Sequence, residues 1–313
     1  MGILIAGMHR SGTSALSRFV GLLTGFEGKT GAAFDNVEGH WEDPELNRAL
    51  EAGLIAVNAD WASPPLVPLD LSLPELAETR GAVQVVLDRL GEGSWVLKDP
   101  RLSLALDTVV RLLDQPTAVV CTYRDPLEVA RSVHVRDRLE PEYGLALWEV
   151  YTRAMVLGAA QVPDRVAVGW ASYDRLLGDP ESLAHRLTGL ITRVGLTTLP
   201  DGIVRAPASI NRSLRHERGS DSGLELSSQQ EVLLGLVQEA DAKNATPDPA
   251  DVPPLTPWAR ALIETRRPYA RLDRDNRLLT HRLRRVQPAF RIADRVRRTL
   301  GRPTPPDPFD SYR

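Results

Sequence analysis

The stretch that decides the fold is GILIAGMHRSGTS, residues 2–14 of a chain of 313 residues. Residues 2–6 form a short apolar run, as in a buried parallel strand. After the loop, apolar residues recur at helical spacing, at Ala15, Leu16, Phe19, Val20 and Leu23. The stretch therefore predicts a strand, a loop and a helix. In this order several backbone N–H groups and the positive end of the helix dipole converge on one point, which suits a phosphate or sulfate group.

The loop has the glycine spacing of the phosphate loop of nucleotide-binding proteins, with Gly7 and Gly12 at its two ends. Those proteins carry a lysine directly after the second glycine, whereas this chain has Thr13. The positive charge lies inside the loop instead, at Arg10. This placement indicates an anion other than the β- and γ-phosphates that the lysine would hold beside Mg²⁺. A tight turn before a capped helix is the alternative interpretation.

The composition is that of an ordinary globular protein, with 42% hydrophobic and 25% charged residues. No run of eighteen or more apolar residues occurs, and His9 and Arg10 interrupt the apolar start before a signal-peptide core forms. We therefore expect a cytoplasmic protein. Cys121 is the single cysteine, which excludes a disulfide framework or a cysteine-ligated metal cluster within one chain.

Short apolar runs alternate with helical patterns along the chain. This alternation is typical of an α/β domain with three layers and a central parallel sheet. Further strands are predicted at 94–97, 116–123 and 165–170, and helices at 46–58, 73–90, 127–138, 143–162, 180–194 and 224–242. We expect four or five strands in all. Because the carboxyl ends of parallel strands meet at one edge, the residues that follow each strand are predicted to face one crevice.

Charged residues follow two of these strands, with KDPR at 98–101 and RDP at 124–126. A guanidinium at a strand end, such as that of Arg124, can make a bidentate, charge-assisted contact to phosphate. Ser132, eight residues later on the following helix, adds a hydroxyl donor. A charged turn, or an arginine–aspartate pair before a helix, is the alternative interpretation of each run.

A polar segment, NVEGHWEDP at 36–44, precedes the second predicted helix. Asp43 is a good N-cap and Pro44 a good first helical residue, so the helix is expected to begin there. Glu42 then lies beside a helix N-terminus near the mouth of the site. Glu42 and His40 are therefore candidates for a general base. A capped, solvated loop is the alternative.

Taken together, these motifs resemble those of bacterial sulfotransferases that use 3′-phosphoadenosine 5′-phosphosulfate. The loop is similar to their 5′-phosphosulfate loop, and the spacing of Arg124 and Ser132 matches their 3′-phosphate pair. The resemblance covers about residues 1–220 and implies a P-loop sulfotransferase fold. It also implies that the donor is held by the loop residues Gly7, His9, Arg10, Ser11, Gly12, Thr13 and Ser14.

One motif departs from the family pattern. The run KDPR resembles the Lys-Thr-His run of cytosolic sulfotransferases, and Lys98 matches the lysine that helps to bind the donor. Pro100 occupies the place of the catalytic histidine and cannot accept a proton. The resemblance therefore implies a different base, Glu42 in preference to His40. It further implies that Lys98 stabilises the charge on the bridging oxygen and that no metal is required.

The family closes a late basic loop over its nucleotide, and residues 210–219 are a basic, nonperiodic run of that kind. Arg212 and Arg215 are candidates for this contact. The family's usual Arg-Lys-Gly triplet is absent, and a solvated loop is the alternative.

We predict an α/β domain over 1–245, a proline-rich linker over 246–257, a basic helical extension over 258–300 and a disordered tail over 301–313. Residues 258–313 contain fifteen arginines and six acidic residues, so their net charge is about +9 and that of the remainder about −12, for a total of −3. A basic tail on an acidic body does not describe a general nucleic-acid binder. For the extension we favour packing on the domain or self-association over contact with an anionic membrane surface.

The sequence thus predicts an enzyme that transfers a sulfuryl group to a hydroxyl of a carbohydrate or another small metabolite. A nucleotide-dependent kinase is one alternative, but Thr13 and the lack of an apolar strand ending in an Mg²⁺-binding aspartate argue against it. A noncatalytic nucleotide-binding module is another. The acceptor itself is not predicted, because the regions that would bind it carry no diagnostic pattern.

Overall fold

The computed structural model describes residues 2–26, 42–91, 93–210 and 223–268. Four parallel strands form the centre of the described structure, in the order β2-β1-β3-β4. They are β1 (Gly2–Ala6), β2 (Trp95–Lys98), β3 (Thr117–Tyr123) and β4 (Val166–Ser172). The predicted strands are confirmed within one or two residues at each end, and so is the α/β class with a central parallel sheet.

Helices connect the strands and cover the sheet. They are α1 (Thr13–Thr24), α2 (Pro44–Ala56), α3 (Ala77–Leu90), α4 (Leu106–Arg111), α5 (Pro126–Asp137), α6 (Pro141–Ala159), α7 (Tyr173–Gly178), α8 (Pro180–Arg193), α9 (Gly202–Ala208), α10 (Ser228–Lys243) and α11 (257–268). Short 3₁₀ turns lie at Pro74–Leu76, Pro100–Leu104 and Pro249–Asp251. Within the described ranges, no helix combines the length and the apolar character that a membrane span requires.

The sheet separates two hydrophobic cores. Because side chains alternate along a strand, Leu4 and Ala6 of β1 belong to one core, and Ile3 and Ile5 belong to the other. The first core contains apolar side chains of α2 to α6, α10 and α11, and the second contains those of α1 and α7 to α9. This arrangement confirms the three predicted layers.

Helix α2 begins where the sequence predicts. The Asp43 side chain accepts hydrogen bonds from the backbone N–H groups of Glu45 (2.9 Å) and Leu46 (3.1 Å), and Pro44 is the first helical residue. This cap fixes the direction in which the chain enters the helix. It therefore sets the position of Glu42, one residue before the cap.

The compact unit continues through Arg267, beyond the predicted end of the α/β domain at residue 245. Leu255 of the proline-rich segment is buried in the larger core together with Ala259 and Ile263 of α11. The segment 246–257, predicted as a linker from its prolines, is therefore joined to the α/β unit by packing. The rest of the predicted basic extension and tail lies outside the described residues.

A buried polar contact attaches the same segment to helix α6. The Glu149 carboxylate accepts hydrogen bonds from the backbone N–H of Thr256 (2.6 Å) and from its hydroxyl (2.8 Å). It accepts a third from the Gln230 side-chain amide (3.0 Å). All three residues are buried. The three donors replace the water that a buried carboxylate would otherwise need.

Candidate functional site

The N-terminal loop turns through two left-handed residues, Arg10 (φ 69°) and Gly12 (φ 84°). A side chain at Gly7 would approach the Thr122 carbonyl oxygen to within 2.6 Å, so only glycine fits where the loop passes the end of β3. Gly12 precedes α1 and supplies no side-chain cap to it. The N–H groups of the first turn of α1 are therefore presented at the end of the sheet, as an anion site requires.

The remaining polar side chains of the loop lie close to the helix start. Ser11 and Thr13 are buried, whereas Ser14 is half-buried. The Ser11 carbonyl accepts a long hydrogen bond of 3.5 Å from the Thr122 hydroxyl of β3. These contacts fix the loop against the neighbouring strand.

Arg10 contacts both Ser132 and Arg124. The Arg10 Nε donates a hydrogen bond of 2.8 Å to the Ser132 hydroxyl, across 122 residues of sequence. The Arg124 Nη1 donates one of 3.4 Å to the Arg10 carbonyl. Arg124 and Ser132 are buried, and Arg10 is half-buried. The two anion-binding corners predicted from sequence are thus adjacent, and the Arg10 side chain reaches the corner formed by β3 and α5.

The Arg124 guanidinium is held from several sides. Its Nε donates to the Glu128 carboxylate at 2.8 Å, and its central carbon lies 4.7 Å from the centre of the Tyr173 ring. Both members of the ion pair are buried. Glu128 was not singled out in the sequence, although its i,i+4 spacing from Arg124 at a helix start is a usable signal. Arg124 is therefore presented in a fixed orientation.

Lys98 and Glu42 form an ion pair at the end of β2. The Lys98 ammonium donates to the Glu42 carboxylate at 2.8 Å, and the Asn47 side-chain amide donates to the other Glu42 oxygen at 3.0 Å. Lys98 is buried. Burial lowers the pKa of its ammonium group, while the adjacent Glu42 carboxylate opposes that shift. The structure thus brings together two residues that the sequence proposed for separate roles.

The rest of the KDPR run serves local structure. The Asp99 side chain caps the 3₁₀ turn that begins at Pro100, through the Arg101 N–H at 2.8 Å. Burial raises the pKa of the Asp99 carboxyl, and the Arg101 guanidinium opposes this shift. Arg101 also pairs with Glu51 of α2, at 3.0 Å. The alternative interpretation as a charged turn therefore describes Asp99, Pro100 and Arg101 well. Lys98 is the residue of the run that contacts Glu42.

His9, within the same loop as Arg10, has different neighbours. Its ring centre lies 5.0 Å from that of Trp61 and 5.8 Å from that of Tyr151 in α6. Its Nε2 is buried and has no hydrogen-bond partner among the described residues. Burial lowers the pKa of the His9 imidazole well below its usual value, and nearby cations lower it further. His9 is therefore a neutral imidazole beside two aromatic rings.

Three predicted site residues, His40, Arg212 and Arg215, lie outside the described residues. Their assignments stay predictions.

No protein-family model and no curated protein sequence matches the chain. Among solved structures, the matches include sulfotransferase STF1 from Mycobacterium tuberculosis H37Rv, at 18% identity and a TM-score of 0.46, covering 77% of this chain and 76% of that one. They also include the sulfotransferase domain of the Synechococcus PCC 7002 olefin synthase (17%, TM-score 0.40, 85% and 94% covered). A third is the sulfotransferase domain from the curacin biosynthetic pathway (14%, TM-score 0.40, 84% and 96% covered). At these identities the similarity is one of fold.

Proposed function

We propose that the protein is a sulfotransferase that moves the sulfuryl group of 3′-phosphoadenosine 5′-phosphosulfate to a hydroxyl group of a carbohydrate or another small metabolite. The observation that carries this proposal is that Arg10 joins the other two residues, since its side chain contacts Ser132 and its carbonyl contacts Arg124. A single phosphate loop would explain one anion site. A second cluster of buried donors beside the first supports a ligand with two separate anionic groups, as in a nucleotide with both 3′- and 5′-substituents.

In this proposal the N–H groups at the start of α1, with Ser11, Thr13 and Ser14, hold the 5′-phosphosulfate. Arg124 and Ser132 hold the 3′-phosphate, and Arg10 assists them, because its Nε donates a hydrogen bond to the Ser132 hydroxyl. Arg212 and Arg215 are proposed to cover the nucleotide.

The transfer is an in-line displacement. The acceptor oxygen attacks sulfur while the bond between sulfur and the bridging oxygen breaks, so adenosine 3′,5′-bisphosphate leaves and a sulfate ester forms. Lys98 stabilises the charge that develops on the bridging oxygen, and Glu42 takes the acceptor's proton. His40 is the second candidate for that role. The ion pair of Lys98 and Glu42 supports this division, because a lysine that turns toward the donor leaves the carboxylate available to the acceptor.

The proposal can be tested by calorimetry and by transfer of ³⁵S-labelled sulfuryl from the donor to a panel of hydroxylated acceptors. The wild type should bind adenosine 3′,5′-bisphosphate without added metal and should sulfate at least one acceptor. Glu42→Gln should keep bisphosphate affinity but lose about 10²- to 10⁴-fold in turnover, as expected when a general base is removed. Glu45→Gln, at an exposed position in the first turn of the adjacent helix α2, is the matched control.

Other outcomes would support the alternatives. Binding of ATP–Mg²⁺ with release of phosphate would indicate a kinase or NTPase. Tight binding of the bisphosphate with no transfer to any acceptor would indicate a noncatalytic module. Normal turnover by Glu42→Gln would remove Glu42 from the role of base.

A further inference from the structure

The half-buried imidazole of His9 in the N-terminal loop has no role in the proposed transfer. The His9 Nε2 lacks a hydrogen-bond partner among the described residues, although Arg10, the next residue, contacts Ser132. A buried polar atom without a partner is costly in a folded protein, and native proteins retain few of them. A catalytic role or a bound water or ion is among the explanations for those that persist.

The aromatic neighbours of His9 are themselves fixed. The Tyr151 hydroxyl donates a hydrogen bond of 2.9 Å to the Trp61 carbonyl, which ties the loop after α2 to helix α6. The Tyr143 hydroxyl donates one of 2.5 Å to the carbonyl of Ala62, the next residue in that loop. The His9 ring therefore packs against a rigid wall.

The charges around His9 keep it neutral. Arg101, Arg136, Lys98 and Arg10 are the charged groups that act on it, and all four are cations. A neutral imidazole has one nitrogen that accepts a hydrogen bond, whereas an imidazolium has none. His9 can thus accept a hydrogen bond from a hydroxyl group at neutral pH.

We propose that His9 binds the acceptor and not the donor, its Nε2 accepting a hydrogen bond from an acceptor hydroxyl that neighbours the one that becomes sulfated. This assignment rests on the proposed function and changes one part of the sequence prediction, which placed His9 with the donor-binding loop. Two consecutive loop residues then serve different substrates, with Arg10 at the bisphosphate and His9 at the hydroxyl. Trp61 and Tyr151 set the direction of the imidazole.

The matched variants His9→Phe and Arg10→Gln test this division. Phenylalanine keeps a ring beside Trp61 and Tyr151 but removes Nε2. The probe acceptors are methyl β-D-glucopyranoside and methyl β-D-galactopyranoside, each of which carries several neighbouring hydroxyl groups. For an accepted probe, His9→Phe should lower kcat/KM for the acceptor by about 10- to 100-fold and change the dissociation constant of adenosine 3′,5′-bisphosphate by less than about threefold. Arg10→Gln should weaken the binding of adenosine 3′,5′-bisphosphate. His185→Phe, at an exposed position of α8, is the control for the substitution itself.

A second measurement does not depend on turnover. In protein labelled with ¹⁵N-histidine and saturated with bisphosphate, the resonance missing from His9→Phe identifies His9. Addition of either probe acceptor should shift the Nε2 signal of His9 and leave that of His185 in place. An unshifted His9 signal with both probes, or wild-type kcat/KM in His9→Phe, would overturn the inference. Failure of the proposed function is seen separately, as the absence of bisphosphate binding by the wild type.

Discussion

The contact between Arg10 and Ser132 leads to a prediction that separates the two ends of the donor. From its place in the phosphate loop, Arg10 would be expected to bind the 5′-phosphosulfate. Its Nε instead donates to the Ser132 hydroxyl, and its carbonyl accepts a hydrogen bond from Arg124. Arg10→Gln should therefore weaken the binding of only those nucleotides that carry a 3′-phosphate.

The size of the effect follows from burial. A hydrogen bond to a charged group contributes about 1.5–3 kcal/mol, which corresponds to about 10- to 150-fold in affinity. Ser132 and Arg124 are buried, so solvent screens a phosphate at this corner weakly, whereas Arg10 is half-buried. We expect a loss of about 30-fold, near the middle of this range. Arg124→Gln should cost more, because it also leaves the Glu128 carboxylate buried without its guanidinium partner.

Calorimetry with two ligands checks this expectation. Adenosine 3′,5′-bisphosphate carries both phosphates, and adenosine 5′-phosphate carries only one. Arg10→Gln should bind the first about 30-fold more weakly and the second within about threefold of the wild type. Arg193→Gln, an exposed arginine of α8, should change neither. Equal losses for both ligands would mean that the guanidinium acts at the 5′ end, and the argument from its contact with Ser132 would be wrong.

Two further predictions concern stability. Glu149→Ala should lower the free energy of unfolding, measured in urea, by about 2–4 kcal/mol, because buried donors of Thr256 and Gln230 lose their acceptor. Glu264→Ala, on the exposed side of α11, is the control. Equal urea midpoints for the two variants would contradict the role of Glu149. The pKa of His9 is lower in the folded than in the unfolded chain, so the unfolded chain binds more protons below about pH 6.5. The free energy of unfolding therefore decreases as the pH falls below that value, by up to about 1.4 kcal/mol per pH unit. His9→Phe should show a correspondingly flatter profile between pH 6.5 and 5, and parallel profiles would refute this.

The strands and most helices could be predicted because their causes are local. All seven residues of Thr117–Tyr123 are buried, and such a strand reads as a continuous apolar run. The Asp43 cap and Pro44 likewise mark the start of α2 within two residues. The segment 246–257 could not be placed in this way. Its prolines indicate a linker, but its attachment depends on Glu149, more than a hundred residues earlier in the chain.

The edge of the sheet at which the described candidate residues lie was predictable, and their contacts were less so. Residues that follow parallel strands meet at one edge, which brings Arg124 and Lys98 to the region of the loop. The direction of the Arg10 side chain was not readable, because it depends on a left-handed backbone that non-glycine residues seldom adopt. The ring contacts of His9 with Trp61 and Tyr151 join three distant parts of the chain. No spacing within the loop signals them.

Two cations of this site, Arg124 and Lys98, form ion pairs with carboxylates of the same chain. Arg124 is paired with Glu128, and Lys98 with Glu42. Both pairs add repulsion toward an anionic donor, but Glu128 fixes the buried Arg124 guanidinium, and charged groups that need no reorganisation are the most effective in transfer reactions. The two pairs differ in one respect. Glu128 orients Arg124. Glu42 is proposed to accept a proton after Lys98 turns to the donor, so donor binding and activation of the acceptor become linked through one ion pair.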